Sequence, residues 1–396
     1  MSICYEITHR TTYRYAEPVH FGEHRVQFRP RDSHDQRVLA TDLQISPDAS
    51  VRLIQDPQSN SVALVQPLQA SATLEIACSF TIEQVDTPDL HIPVAPSALL
   101  LPVAYPVDER FDLEPCLRLH HDDPQDVLGA WARQFIRTDG PTATPDLLDQ
   151  MSQHIGATLR YQVRHEEGTQ PPLETLARGS GTCRDFALLM IEAVRRLGLA
   201  ARFVSGYLYD PALDAGTGVQ GTAGSTHAWL QVYLPGPGWV SFDPTNQAQG
   251  GTRLIRVAVA RHPAQATPVA GSWFGPNGAY LGMDVDVQVR RQAEPPGPTD
   301  LPAPDSGAAA AGLPDLAGPP ADWPGGPPTP ANRLTLPTGP GAALLSRPAT
   351  RHHAGSSRST SGRAKRSSIR CTLPWSPGPR ITRPAACTTL RMPGYR

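Results

Sequence analysis

The sequence predicts an α+β chain in three parts. Residues 1–110 read as an antiparallel β-sandwich or barrel-like domain, 120–290 as a mixed domain of helices and strands, and 291–396 as a disordered Pro/Arg-rich tail. Three observations carry this division. Polar and apolar residues alternate with period two through the first hundred positions. Helical spacing takes over near residue 123. Beyond residue 290 proline accumulates, and beyond Asp322 acidic residues vanish.

The β part opens with YEITHRTTYRYAEPV and continues through HRVQFRPR, ATDLQISPD, SVRLIQD, NSVALVQ and ATLEIACSFTIEQV. Turn signals such as SPDAS and DPQSN separate the runs, and short strands at this spacing suggest two packed sheets or a small barrel. HIPVAPSALLLPVAYPVDERFD follows as a proline-rich crossover along the surface. DPQDVLGAWARQFIRT then repeats apolar residues at Val127, Leu128, Trp131, Phe135 and Ile136, which predicts a helix. Thr144 or Pro145 opens a second helix over TPDLLDQMSQHIGATLRYQ. The third begins at GSGTCRDF: Phe186, Leu189, Met190, Ala193 and Leu197 share one face. Arg195, Arg196 and Gly198 mark its C-terminus. Strands return in ARFVSGYLYD, THAWLQVYL and WVSFDP, with a Gly/Ala/Thr loop before the second and a PGPG turn after it, and β-like pieces run on to residue 290.

The last 106 residues hold 20 of the 43 prolines, and neither Asp nor Glu occurs after Asp322. Such a composition cannot bury enough apolar area to offset chain entropy. A net charge of −2 over 396 residues gives no basic case for nucleic acid. The start MSICYEITHRTTYRY has no apolar signal core, and no run of 18 apolar residues predicts a membrane span. The expectation is a cytoplasmic protein with no membrane partner. Cysteines stand at 4, 78, 116, 183, 371 and 387, none at zinc-knuckle or CxxC spacing, so neither a metal nor another cofactor is expected. The oligomeric state is open.

One thiol stands apart. Gly179, Ser180, Gly181 and Thr182 let the backbone turn tightly into a helix that starts at Cys183. Aligned peptide dipoles there favour the thiolate, which is the nucleophilic form. The unpaired N–H groups of the first turn are donors for a developing oxyanion. A cysteine nucleophile also needs a base and a group to orient that base. Of 13 histidines, His9, His20 and His24 lie among the N-terminal strands, His120 and His121 in a linker, and His352 and His353 in the tail. His227 begins the strand STHAWLQVYL on the face opposite Ala228, Leu230 and Val232. The segment THAWLQVYL-PGPG-WVSFD reads as a hairpin whose open ends are His227 and Asp243, at cross-strand distance. Cys183, His227 and Asp243 therefore form a candidate nucleophile, base and orienting carboxylate. Asp185, Trp229 and Tyr161 are candidate pocket or support residues.

GTCRDFALLMIEAVRRLGLAARFVSGYL followed by STHAWLQVYLPGPGWVSFDPTN closely resembles the bacterial transglutaminase-like proteins of the papain-like superfamily. The start YEITHRTTYRYAEPVHFGEHRVQFRPRD, through DPQSNSVALV, resembles the β-rich region that accompanies them. The resemblance spans roughly residues 3–290. It implies a papain-like transglutaminase core, with Cys183 as nucleophile, His227 as base and Asp243 orienting it. The implied chemistry is acyl transfer from carboxamides of a protein or peptide substrate through a thioester, without metal. Three positions depart: Leu188 replaces a frequent histidine, Arg261-His262-Pro263 replaces part of a Gly-Arg-Asp-Tyr segment, and Ser59-Asn60 replaces Gly-Asn. A cysteine peptidase or amidase uses the same three residues. A catalytically idle protein-binding module would have no physical need of all three. An arylamine acetyltransferase also orders Cys, His and Asp this way, but GTCRDF does not match its RGG-x-C surroundings.

Overall fold

The computed structural model describes residues 2–85, 93–164, 168–211, 225–249 and 253–292. The tail, with Cys371, Cys387, His352 and His353, lies outside the described residues, as does most of the Gly/Ala/Thr loop.

The N-terminal part contains β1 (Ser2–Phe21), β2 (His24–Val26), β3 (Gln36–Ser46), β4 (Ala49–Gln55), β5 (Ser61–Pro67) and β6 (Ser71–Val85). Next come α1 (Pro96–Leu99), α2 (Val107–Leu117), α3 (Val127–Arg133), α4 (Thr144–Thr158), β7 (Arg160–Tyr161), α5 (Pro172–Arg178), β8 (Ser180–Gly181) and α6 (Cys183–Arg196). The chain continues through β9 (Ala201–Leu208), β10 (Ser225–Leu234), β11 (Gly238–Asp243), β12 (Ala248–Gln249) and β13 (Leu254–Ala260). A 3₁₀ turn (Pro263–Ala266), β14 (Val269–Ala270), β15 (Trp273–Phe274) and β16 (Tyr280–Gln292) follow.

Three antiparallel sheets organise these strands. The first runs β15–β1–β6–β3 with β16 also on β1, the second β14–β2–β5–β4, and the third β12–β11–β10–β9–β13. Period-two alternation is literal in β1: Tyr5, Ile7, His9, Thr11, Tyr13 and Tyr15 are all buried. In β6 the buried set is Leu74, Ile76, Cys78, Phe80, Ile82 and Gln84. These two strands share one apolar cluster with Val26 of β2 and Val65 of β5, so the first two sheets enclose a common core.

That core extends into the rest of the molecule. Tyr207 and Tyr209, at and just beyond the end of β9, and Ile255 and Val257 of β13 belong to the same cluster. Buried His9 meets the Tyr207 hydroxyl at 2.7 Å through Nδ1. Asn60 is buried and imitates a strand against β13: its Nδ2 donates to the Val259 carbonyl at 2.8 Å, and its Oδ1 accepts the Val259 N–H at 2.9 Å. Ser59 holds a left-handed φ of 60° to aim it.

A second cluster joins α6 to the inner face of the third sheet, where Ala228, Leu230, Val232 and Phe242 meet Phe186, Leu189, Met190 and Ala193. α6 is buried on nearly every side, not on one stripe. Its Arg195, placed by the sequence as a C-terminal charge, is instead wholly buried. Nε donates to the Cys116 carbonyl, Nη2 to those of Ala201 and Arg261, and Nη1 pairs with Glu192 at 2.8 Å. The Glu192 carboxylate also accepts the His120 and His121 amides, tying the linker to the helix.

Three departures from the sequence reading have local causes. The crossover contains α2, which the periodicity hides because Val107 and Phe111 face solvent at 72% and 77% exposure. The helix expected from residue 123 begins only at Val127, because the Asp123 carboxylate accepts the N–H groups of Val127 and Gly129 and holds the turn before it. Finally, β14, β15 and β16 do not extend the third sheet. β14 pairs with β2, while β15 and β16 pair with β1, the latter from Cys4↔Gln292 to Tyr15↔Tyr280. No helix among the described residues is long and apolar enough to cross a membrane.

Candidate active site

The start of α6 is built around Asp185. Its carboxylate accepts the Thr182 N–H and hydroxyl at 2.8 and 2.9 Å and the Gln170 N–H at 2.7 Å. Thr182 and Asp185 form a capping box, which satisfies two of the helix's free donors. The Arg164 guanidinium closes on the same carboxylate at 2.9 and 3.2 Å, with Asp185 fully buried. Gly181 is confined by this packing, since a Cβ there would stand 2.9 Å from the Asp185 Cβ. Asp185 thus shapes the loop that delivers Cys183 and has no face toward the cleft.

Cys183 is the first residue of α6, only 9% exposed. Opposite it, His227 lies near the start of β10 with its ring stacked on Trp229 at 6.0 Å and 22°. Trp229 is buried beside Val204, Leu254 and Val259 and backs the imidazole without lining the cleft. Gly206 makes room for it: a Cβ there would meet the Ile255 carbonyl at 2.0 Å and the indole at 2.8 Å.

Asp243 ends β11, fully buried, and accepts from His227 Nε2 at 2.8 Å. The pairing is not the directly opposed one that the hairpin reading gives. β10 and β11 pair in a register that runs from Leu234↔Gly238 to Leu230↔Phe242, and continuing it sets Asp243 against Trp229. The turn is the cause: three residues, Pro235 to Pro237, separate the last pair. Asp243 therefore reaches His227 along the diagonal of the ladder, on the same face.

With Nε2 engaged by Asp243, the other ring nitrogen serves the hydrogen bond between His227 and Cys183. Burial alone would raise the Cys183 thiol. The hydrogen bond and charge of His227, the Ala228 N–H and the Arg184 guanidinium outweigh it and hold the thiol below its ordinary value. Burial also opposes the charged imidazole, yet Asp243 and the Cys183 sulfur raise His227 to about 10. Asp243 is lowered against its own burial by His227 and Asn246. Together the shifts favour a thiolate–imidazolium–carboxylate row at neutral pH.

A cleft of about 90 Å³ opens over Cys183 and His227, walled by Tyr161, Val163, Arg184 and Pro268. Tyr161 sits at its rim, half exposed, on the short parallel bridge of β7 with β8. Burial first, then the nearby Cys183 and Asp185, push its phenol up to about 12.

Three residues of the site escape the sequence reading. Asn246 donates from Nδ2 to Asp243 Oδ2 at 2.7 Å and lies 3.3 Å from His227 Nε2. Only its place three residues after Asp243, in DPTN, hints at it. Arg164 and Gln170 reach Asp185 from a segment whose sequence carries no periodic signal.

Comparison with known proteins agrees with this architecture. Residues 129–244 match the model of the transglutaminase-like superfamily, and residues 5–83 that of the bacterial transglutaminase-like N-terminal region. An uncharacterized protein of Mycobacterium tuberculosis is 29% identical over 295 residues, which is 72% of this chain and 92% of that one. A protein-glutamine gamma-glutamyltransferase of Pseudomonas aeruginosa is 37% identical over 68 residues, 17% of this chain and 10% of that one. Among solved structures, a Cytophaga hutchinsonii protein described provisionally as a cysteine protease superposes with a TM-score of 0.55 at 20% identity. It covers 73% of this chain and 91% of its own, a likeness of fold. Over these two stretches the chain is similar to the transglutaminase-like superfamily core, at residues 129–244, and to the bacterial transglutaminase-like N-terminal region, at residues 5–83.

Proposed function

We propose that the protein is a cysteine acyl-transfer enzyme acting on carboxamide groups of a protein or peptide, with Cys183 as nucleophile, His227 as acid–base and Asp243 orienting the imidazole. The observation that carries the reading is the hydrogen-bonded row of the three side chains, Cys183 and His227 lining one cleft and Asp243 buried behind the imidazole, with the thiol drawn toward its anion. The thiolate attacks the carboxamide carbonyl, and the first-turn N–H groups of α6 stand beside the oxyanion that develops. His227 protonates the departing amine, leaving a thioester on Cys183. An amine or water then attacks with His227 as base, which gives transamidation or hydrolysis from one intermediate. The name of the Pseudomonas relative favours a glutamine side chain as acyl donor. Asn246 holds Asp243, and Asp185 with Arg164 holds the helix start, so these are positioning residues.

The test is iodoacetamide labelling of each cysteine, followed by mass spectrometry from pH 4 to 9 in wild type and His227→Ala. Free cysteine titrates near 8.5. Fast labelling of Cys183 near pH 5–6 that disappears in His227→Ala supports the reading. Labelling no faster than that of Cys4 and Cys78 overturns it. A glutamine-containing peptide with a fluorescent amine then separates transfer from hydrolysis.

Lysine adds a constraint. Lys365 is the single lysine of the chain, so crosslinking by this enzyme is directed at other molecules. Covalent multimers that resist thiol reductant, formed by a purified Lys365→Ala variant alone, would falsify that statement.

A further inference from the structure

The N-terminal β region contains a second hollow, of about 220 Å³, which shares no lining residue with the cleft over Cys183. It opens between β3 and β4, each the outermost strand of its sheet. Phe28, Ala63 and Cys78, all buried, line it, and Leu53 of β4 adds an apolar side chain that is 68% exposed. An apolar hollow of this kind gives up its water at little cost.

Its charged residues are unequal. Asp42 is exposed and accepts a hydrogen bond from Gln44 at 2.8 Å. Arg29 is half-buried and makes no hydrogen bond or ion pair among the described residues. Its charge is felt at the Cys78 sulfur, where it opposes the upward effect of burial on that thiol. A half-desolvated guanidinium beside apolar walls is a fork for a carboxylate. Asp42 repels a second negative charge.

The geometry points to a binding site for a small aliphatic monocarboxylate, its carboxylate on Arg29 and its chain against Phe28, Ala63 and Cys78. At roughly 30 Å³ per heavy atom, the hollow takes about seven heavy atoms, which suits the carbon chain of an acid of about six to eight carbons whose carboxylate stands at the mouth on Arg29. This site does not depend on the reaction proposed for Cys183.

The experiment is calorimetric titration of the full chain with octanoate, octylamine and N-acetyl-leucine, paired with the carbon-13 methyl signal of Ala63. Arg29→Gln removes no hydrogen bond or ion pair among the described residues, and Arg29→Lys keeps the charge. Octanoate shifts the Ala63 methyl and binds wild type about tenfold tighter than Arg29→Gln, with Arg29→Lys between them and octylamine silent. N-acetyl-leucine binding tighter than octanoate, with the same loss in Arg29→Gln, assigns the acid to a peptide C-terminus in place of a free one. No shift at Ala63 up to about 10 mM octanoate overturns the proposal, as does equal affinity in wild type and a folded Arg29→Gln.

Discussion

Cys183, His227 and Asp243 are separated by 44 and 16 residues, and what joins them is charge. His227 is raised to about 10 in the folded chain, above its unfolded value near 6.5. The stability it contributes is therefore fully present below pH 6.5 and lost as pH rises toward 10. The lowered Cys183 thiol opposes this loss up to its unfolded value near 8.5, so the melting temperature should fall chiefly between pH 8.5 and 10, and Asp243→Asn should flatten that slope in a pH-dependent thermal scan. The same variant offers the imidazole the wrong tautomer, and acyl transfer should drop by about 10³–10⁴ in a coupled amine-release assay. Asn246→Ala leaves Asp243 in place with one donor fewer, so a loss nearer tenfold is expected. Helix start, strand start and a DP turn made the three main residues legible in sequence. Asn246 was not, because its role exists only once the turn after β11 folds back on Asp243.

Elements show where sequence patterns stop being informative. β1 and β6 alternate as their residues do, because one face of each meets the core. α2 turns Val107 and Phe111 outward while burying Leu113 and Cys116, and so has no clean stripe to read. The diagonal reach of Asp243 depends on a three-residue turn that PGPG alone does not specify. At the C-terminal end of α6, Glu192 and Arg195 are buried as a pair, so removing one charge strands the other. Glu192→Gln should cost about 3–5 kcal/mol in chemical denaturation. His120, His121 and His262 cluster against this pair, with ring centroids 5.7 and 5.9 Å from His262. Burial first, and then neighbours including Arg195, lower all three, His262 to about 4. Groups lowered in the folded state bind protons preferentially when unfolded. This contribution is full above pH 6.5 and is lost as pH falls toward 4, even with the opposing charge of Glu192 nearby. A His262→Gln variant should unfold less readily than wild type when both are titrated from pH 7 to 4.5.

Across the whole molecule, Asn60 ties the first part of the chain to β13, and its neighbour Ser59 holds a conformation that glycine adopts freely. Ser59→Gly should stabilise the protein by about 1 kcal/mol, measured as a shift of the urea midpoint. The pairing of β16 with β1 left no mark in the sequence, since long-range strand partners share no local pattern. A fragment of residues 1–110 lacks β16, Tyr207 and Ile255, all part of its core. It should expose the edge of β1 and aggregate, as read by size exclusion and circular dichroism.

That same pairing sets a timetable during synthesis. β1 leaves the ribosome first, but its partner β16 is complete only when residue 292 has been added. At about 5–20 residues per second, β1 waits on the order of 15–60 s with one edge uncovered. The cysteine helix is translated within that interval, so a nascent chain carries its thiol before the β core can close around it.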